Sequence, residues 1–153
     1  EIGQRNIPLK GRIKIEWQPM AAYDSIEKYH VYQVSNARYP SFVGGSYEDN
    51  KFIFRTSSFG KFTLLKDEKK PLVELISTSN NRVSFRIKDD LAGISSFEAR
   101  INGEWLLMHY EPKRNLIWSE RLDKNKPLEG ELELVVADNA GNETIYELKL
   151  GEL

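Results

Sequence analysis

Arg82-Val83-Ser84-Phe85-Arg86-Ile87-Lys88 alternates polar and apolar side chains without a break. In an extended chain successive side chains point to opposite faces, so Val83, Phe85 and Ile87 share one face and the charged residues the other. Leu132, Leu134 and Val136 alternate in the same way with Glu131 and Glu133. Between these stretches Phe97, Ala99 and Ile101 run into Asn102-Gly103, a pair that adopts positive φ readily and closes two-residue hairpins. Further strands are expected over Leu72–Ile76, Glu104–Tyr110, Leu116–Ser119 and Thr144–Leu150. That makes about seven short strands with turn signals between them and no helical period, the pattern of an immunoglobulin-like or fibronectin III-like β-sandwich.

The first half of the chain also reads as β. Ile13, Ile15 and Trp17 alternate with Lys14 and Glu16, and Tyr29–Ser35, Phe52–Thr56 and the pair Phe62 and Leu64 look extended. Asp49-Asn50 closes a hairpin that sets Tyr47 opposite Phe52, with Phe54 on the same face. A single helical turn is expected to start on Asp24 or Ser25. Lys66-Asp67-Glu68-Lys69-Lys70-Pro71 is charged, lacks apolar residues and ends in proline. The expected organisation is therefore all-β: a sandwich-like domain over 1–67, a linker over 68–71 and an Ig-like sandwich over 72–153.

Composition narrows the function. The chain has 153 residues, 40% apolar and 29% charged, with net charge −1 and no cysteine. Such fractions exclude a disordered or fibrous chain. No run approaches the ~18 apolar residues of a membrane-spanning helix, and the charge gives no general case for nucleic acid. Without cysteine there are no disulfides, thiolate metal sites or thiol nucleophiles. The neutrality hides an asymmetry. Residues 1–70 carry 12 Lys and Arg against 8 Asp and Glu, net +4, whereas residues 71–153 carry 10 against 15, net −5. Of the 17 aromatic residues, 11 lie in the first 70. That richness suits either a carbohydrate-binding surface or a small β-domain filling its core with rings.

The Asn102-Gly103 hairpin supplies the candidate patch. A two-residue turn sets Ile101 opposite Glu104, Arg100 opposite Trp105 and Glu98 opposite Leu107. Opposed side chains share a face. Phe97, Ala99, Ile101, Leu106, Met108 and Tyr110 then face the core, and Trp105, Leu107 and His109 the other side, beside Arg100. Such a patch either packs under the first half or serves a ligand or partner, with Arg100 stacked on Trp105. A one-residue slip of register would invert every assignment.

Catalytic chemistry finds little footing. A catalytic zinc site needs about three protein ligands, and the two histidines, His30 and His109, have no second His at a ligating spacing. Gly-x-Ser-x-Gly, Gly-x-Gly-x-x-Gly and P-loop patterns are absent, and Gly44-Gly45 reads as a bend. Asp89-Asp90-Leu91-Ala92-Gly93 and Asp138-Asn139-Ala140-Gly141-Asn142 could meet at one pole of a sandwich. Their oxygens suit either calcium or tight-turn hydrogen bonding. No cofactor, metal or catalytic residue is assigned.

Several motifs resemble a known family. Ile87-Lys88-Asp89-Asp90-Leu91-Ala92-Gly93-Ile94, Asn102-Gly103 with Trp105, and Val135-Val136-Ala137-Asp138-Asn139-Ala140-Gly141-Asn142 resemble bacterial extracytoplasmic Ig-like modules. Preceded by Val43-Gly44-Gly45-Ser46-Tyr47 and Ser58-Phe59-Gly60-Lys61-Phe62, their order is similar to the C-terminal region of lysostaphin-type zinc metallopeptidases of certain Gram-negative bacteria, from about Gly11 to Leu150. In that family a separate N-terminal domain binds zinc through His-x-x-x-Asp and His-x-His segments. Here Val34 and Lys113 stand at the Asp position after His30 and His109, so no ligand carries over. The resemblance implies a non-catalytic accessory or spacer region that positions a missing peptidase domain or docks it to an envelope partner, cell-wall glycan or an envelope protein, in a cell-envelope or periplasmic location. A start at Glu1 rather than Met fits a trimmed fragment. The rival readings are a glycan-binding module, for peptidoglycan or another polysaccharide, and a structural adhesin-like Ig module.

Overall fold

The structure, a computed structural model, describes residues 1–4, 7–20, 22–34, 40–120, 123 and 126–151. The chain divides into two compact units, Glu1–Glu68 and Lys69–Leu153. Both are built almost entirely of antiparallel strands. Among the described residues no helix is long and apolar enough to cross a membrane.

The first unit holds β1 (Pro8–Trp17), β2 (Tyr29–Val34), β3 (Ser41–Gly44), β4 (Ser46–Glu48), β5 (Lys51–Ser58) and β6 (Lys61–Lys66). They form two three-stranded sheets, ordered β1-β5-β4 and β3-β2-β6. Phe52 and Phe54 from one sheet and Val31 from the other form the buried centre, with Ile15, Trp17, Phe62 and Leu64 packed around it. This placement accounts for much of the aromatic richness: rings here fill a small core. Asp49 and Asn50 take φ of 49° and 61° and set Tyr47 opposite Phe52, as the hairpin reading required. Strand β3 has no counterpart in the sequence reading; its Phe42-Val43 pair is too short to alternate. The expected helical turn is a 3-10 turn over Ile26–Lys28, and its Ser25 cap sits at φ 52° without a side-chain hydrogen bond. Ser35, expected to end β2, lies outside the described residues.

The second unit holds β7 (Leu72–Ser79), β8 (Arg82–Lys88), β9 (Ile94–Ile101), β10 (Glu104–Leu106), β11 (Met108–Glu111), β12 (Leu116–Ser119), β13 (Gly130–Asp138) and β14 (Glu143–Leu150). Two four-stranded sheets result, ordered β10-β9-β13-β14 and β11-β12-β8-β7. Val83, Phe85, Ile87 and Ile117 from the second meet Ala99, Ile101, Leu106, Leu132, Leu134 and Val136 from the first in one core. This is the β-sandwich that the alternation predicts.

One expectation is corrected. Glu104–Tyr110 is not a single strand: β10 pairs with β9 and β11 pairs with β12 in the other sheet. The chain changes sheets at Leu107, so Glu98 does not oppose Leu107. The backbone changes partners there, whereas the inward alternation of Leu106 and Met108 continues, because both sheets share the core.

Candidate functional site

The candidate site is built on the corner where the chain changes sheets. Asn102 and Gly103 sit at φ 50° and 81°, the two left-handed positions of a tight hairpin turn. That turn fixes the register Ile101↔Glu104, Arg100↔Trp105 and Ala99↔Leu106. Ala99, Ile101 and Leu106 are buried, so Trp105 must point outward, and it keeps 59% of its surface exposed. The expected stacking of Arg100 on Trp105 is not made. Arg100 instead donates from Nε to Glu98 Oε1 at 2.7 Å and from Nη1 to the Gly103 carbonyl at 3.2 Å. A charged acceptor on the same strand outcompetes a ring face, because charge-assisted hydrogen bonds are the stronger contact.

Leu107 is half-buried beyond Trp105. Its carbonyl accepts from the Glu120 N–H at 2.9 Å, the first bond the strand makes in its new sheet. Together Trp105, Leu107, Glu104, Glu120, Asp123 and Lys126 line a surface groove of about 190 Å³. His109 does not reach this groove as a ligand would. Its ring stacks on Trp118, with centroids 5.3 Å apart and planes at 18°, and its Nε2 pairs with the Glu120 carboxylate. The Arg82 guanidinium lies 5.3 Å from the Trp118 ring centre. Trp118 stands on β12 between the strands that carry these partners, so it is a packed ring. Trp105 is the exposed one.

The structure thus brings Trp105 and Leu107 into one groove, with His109 behind it as the residue that holds Glu120. Arg100 stands beside Trp105 on the sheet face. The patch expected on one flat face instead wraps a corner, because the sheet change at Leu107 sends Trp105 and His109 to different sheets. Glu120, Asp123 and Lys126 escaped the sequence reading. No local pattern marks them: Glu120 is placed by its N–H bond to the Leu107 carbonyl at the end of the β11–β12 hairpin, and Asp123 and Lys126 belong to no strand.

The two acidic turns do meet at one pole of this unit. Asn139 donates from its backbone to the Gly93 carbonyl at 3.0 Å and from its side chain to the Ala92 carbonyl at 2.9 Å. Asp89 Oδ2 accepts from the Leu91 and Gly93 N–H groups. Asp138 Oδ1 accepts from Ala140 and Asn142, each at 2.8 Å. These are the self-directed bonds that make Asp the turn residue. Asp90 points outward, and hydrogen bonds from Lys69 and then Lys88 hold its carboxyl down at about 2.

No family model matches the sequence, and no curated protein matches it. Among solved structures the chain is similar to the crystal structure of apo expansin from Clavibacter michiganensis. Identity is 14%, the TM-score is 0.40, and the match covers 67% of this chain and 48% of the expansin. A likeness of that degree carries no argument about function.

Proposed function

We propose that the chain is a glycan-binding β-module that engages its ligand at the Trp105 corner. The observation that supports this reading is the 59% exposure of Trp105 beside an open groove. A sugar ring has a flat, apolar C–H face and a fringe of hydroxyls. An exposed indole offers the first an apolar plate and keeps an N–H for the second. Glu104, Glu120, Asp123 and Lys126 around it are donors and acceptors suited to hydroxyls, with Glu120 fixed by His109. Recognition of this kind needs no nucleophile or metal.

The sequence resemblance supplies a context for such a module. Joined to a separate peptidoglycan endopeptidase domain, it would hold that domain on its substrate outside the cytoplasm. Peptidoglycan is therefore the first glycan to test, in a retention assay of the intact chain on insoluble peptidoglycan, chitin and cellulose. Retention on at least one, abolished by Trp105→Ala, is the expected result. Passage through all three, or unchanged retention of the variant, would overturn the reading.

A further inference from the structure

The Trp105 corner opens onto the outer face of the sheet β10-β9-β13-β14. The registers Trp105↔Arg100, Arg100↔Glu133 and Glu133↔Glu147 place these four side chains in one row across the sheet. Directly opposed residues share a face, and the alternate positions Ala99, Leu132 and Leu134 are buried, so the row faces outward. With neighbouring strands about 4.8 Å apart, the row from Trp105 to Glu147 spans about 14 Å. Glu131, Glu133 and Glu147 border a hollow of about 470 Å³ on this face, with Arg100 and the Asn102-Gly103 turn at its end.

On this face Glu98, Glu131, Glu133 and Glu147 outnumber the two cations, Arg100 and Lys149, the latter standing opposite Glu131. Arg100 is already paired with Glu98. Among the described residues the side-chain carboxylates of Glu131, Glu133 and Glu147 have no hydrogen-bonded or ion-paired partner, and all three residues are exposed. On the far edge Ile145, 61% exposed, gives the face a second apolar contact opposite Trp105. An aromatic plate, a hollow lined by unpaired carboxylates and an apolar far rim together call for a ligand that is extended, partly apolar and positively charged.

We infer that this sheet face extends the Trp105 site and selects glycans bearing free amino groups, such as runs of de-N-acetylated amino sugar. One ring stacks on Trp105 and the ammonium groups of its neighbours meet Glu131, Glu133 and Glu147. This rests on the glycan-binding reading above, and it adds the ligand's charge. Each exposed pair contributes little alone, but three acting together favour the amine form by roughly tenfold and make binding salt-sensitive.

The test compares the intact chain's affinity for β-linked glucosamine oligomers and for N-acetylated oligomers of the same length, at mildly acidic pH, with polylysine as a polycation that is not a glycan. The expected result is about tenfold tighter binding of the free-amine oligomer. The preference should shrink as salt is raised and vanish in the Glu133→Gln/Glu147→Gln variant, whose melting temperature confirms its fold. Equal binding of the two oligomers would overturn the charge inference and leave the glycan reading intact. Binding of polylysine alone, or of none of the three, would likewise overturn the charge inference, and the glycan reading then stands or falls on the retention assay above. If the double variant fails to fold, the salt dependence of the wild-type preference decides: a preference that salt does not diminish overturns the inference.

Discussion

Trp105 and Arg100 stand directly opposite one another on the β9–β10 hairpin, yet the guanidinium turns away to Glu98 and the Gly103 carbonyl. Had Arg100 lain across the indole, as adjacent positions on one face suggest, it would cover the ring. By bonding along its own strand and back to the turn, it leaves the ring accessible. The hairpin thus does two things at once. It projects an aromatic plate from the corner of the sandwich and keeps the opposed arginine off it.

If Trp105 serves a ligand, removing it leaves the fold nearly untouched. A tryptophan buried in a packed contact costs about 3–5 kcal/mol when cut to Ala. At 59% exposure, Trp105→Ala should change unfolding free energy by less than about 1 kcal/mol, measured by urea denaturation of the intact chain. A loss of about 3 kcal/mol would mean that the ring is a structural contact.

Phe85 marks the opposite extreme. It is fully buried in the second unit's core and meets Tyr146 edge-on at a centroid separation of 5.4 Å. Phe85→Ala should cost about 3–5 kcal/mol. The same denaturation experiment reads it as a lower midpoint for the transition that reports the second unit.

Asp138 is buried, with one carboxylate oxygen taking two backbone N–H groups and the other taking Asn142 Nδ2 at 2.8 Å. Asp138→Ala leaves those donors without their acceptor, at about 1–3 kcal/mol for each one left buried and unsatisfied. Amide hydrogen exchange at Ala140 and Asn142 should accelerate in the variant. Unchanged exchange there would contradict the turn role assigned to Asp138.

Acid titration singles out Asp90. Its carboxyl is lowered from an ordinary 3.8 to about 2, first by the Lys69 hydrogen bond and then by Lys88. A depressed folded-state value means that the unfolded chain binds the proton first. The contribution of Asp90 to stability is therefore complete above about pH 4 and is lost as pH falls toward 2. Carboxyl chemical shifts should give a midpoint near 2, and Lys69→Ala should raise it toward the ordinary value. A midpoint near 4 in the wild type would show that the two lysines do not hold the group in solution.

The sandwich was legible because its core positions are also its apolar alternations: Val83, Phe85 and Ile87 on β8, and Leu132, Leu134 and Val136 on β13. The register of the β9–β10 hairpin was legible because Asn102-Gly103 permits one tight turn. The sheet change at Leu107 was not. Leu106 and Met108 face the same core whether or not the strand crosses between layers, so the alternation is identical in both cases. The members of the groove that come from beyond β12, Glu120, Asp123 and Lys126, were hidden for a related reason. Glu120 is brought to Trp105 by the β11–β12 pairing, Asp123 and Lys126 join the groove from outside any strand, and neither placement leaves a local signature. His109 is one of only two histidines in the chain, but its stacking on Trp118 gives it a supporting part behind Glu120.

The account stands most directly on the affinity of the intact chain and of Trp105→Ala for one and the same glycan. Calorimetric titration with soluble peptidoglycan fragments and with glucosamine oligomers measures both. Saturable binding by the wild type, weakened at least tenfold in a variant of unchanged melting temperature, is the predicted result. Equal affinities for the two proteins, or no heat of binding from either, would contradict it.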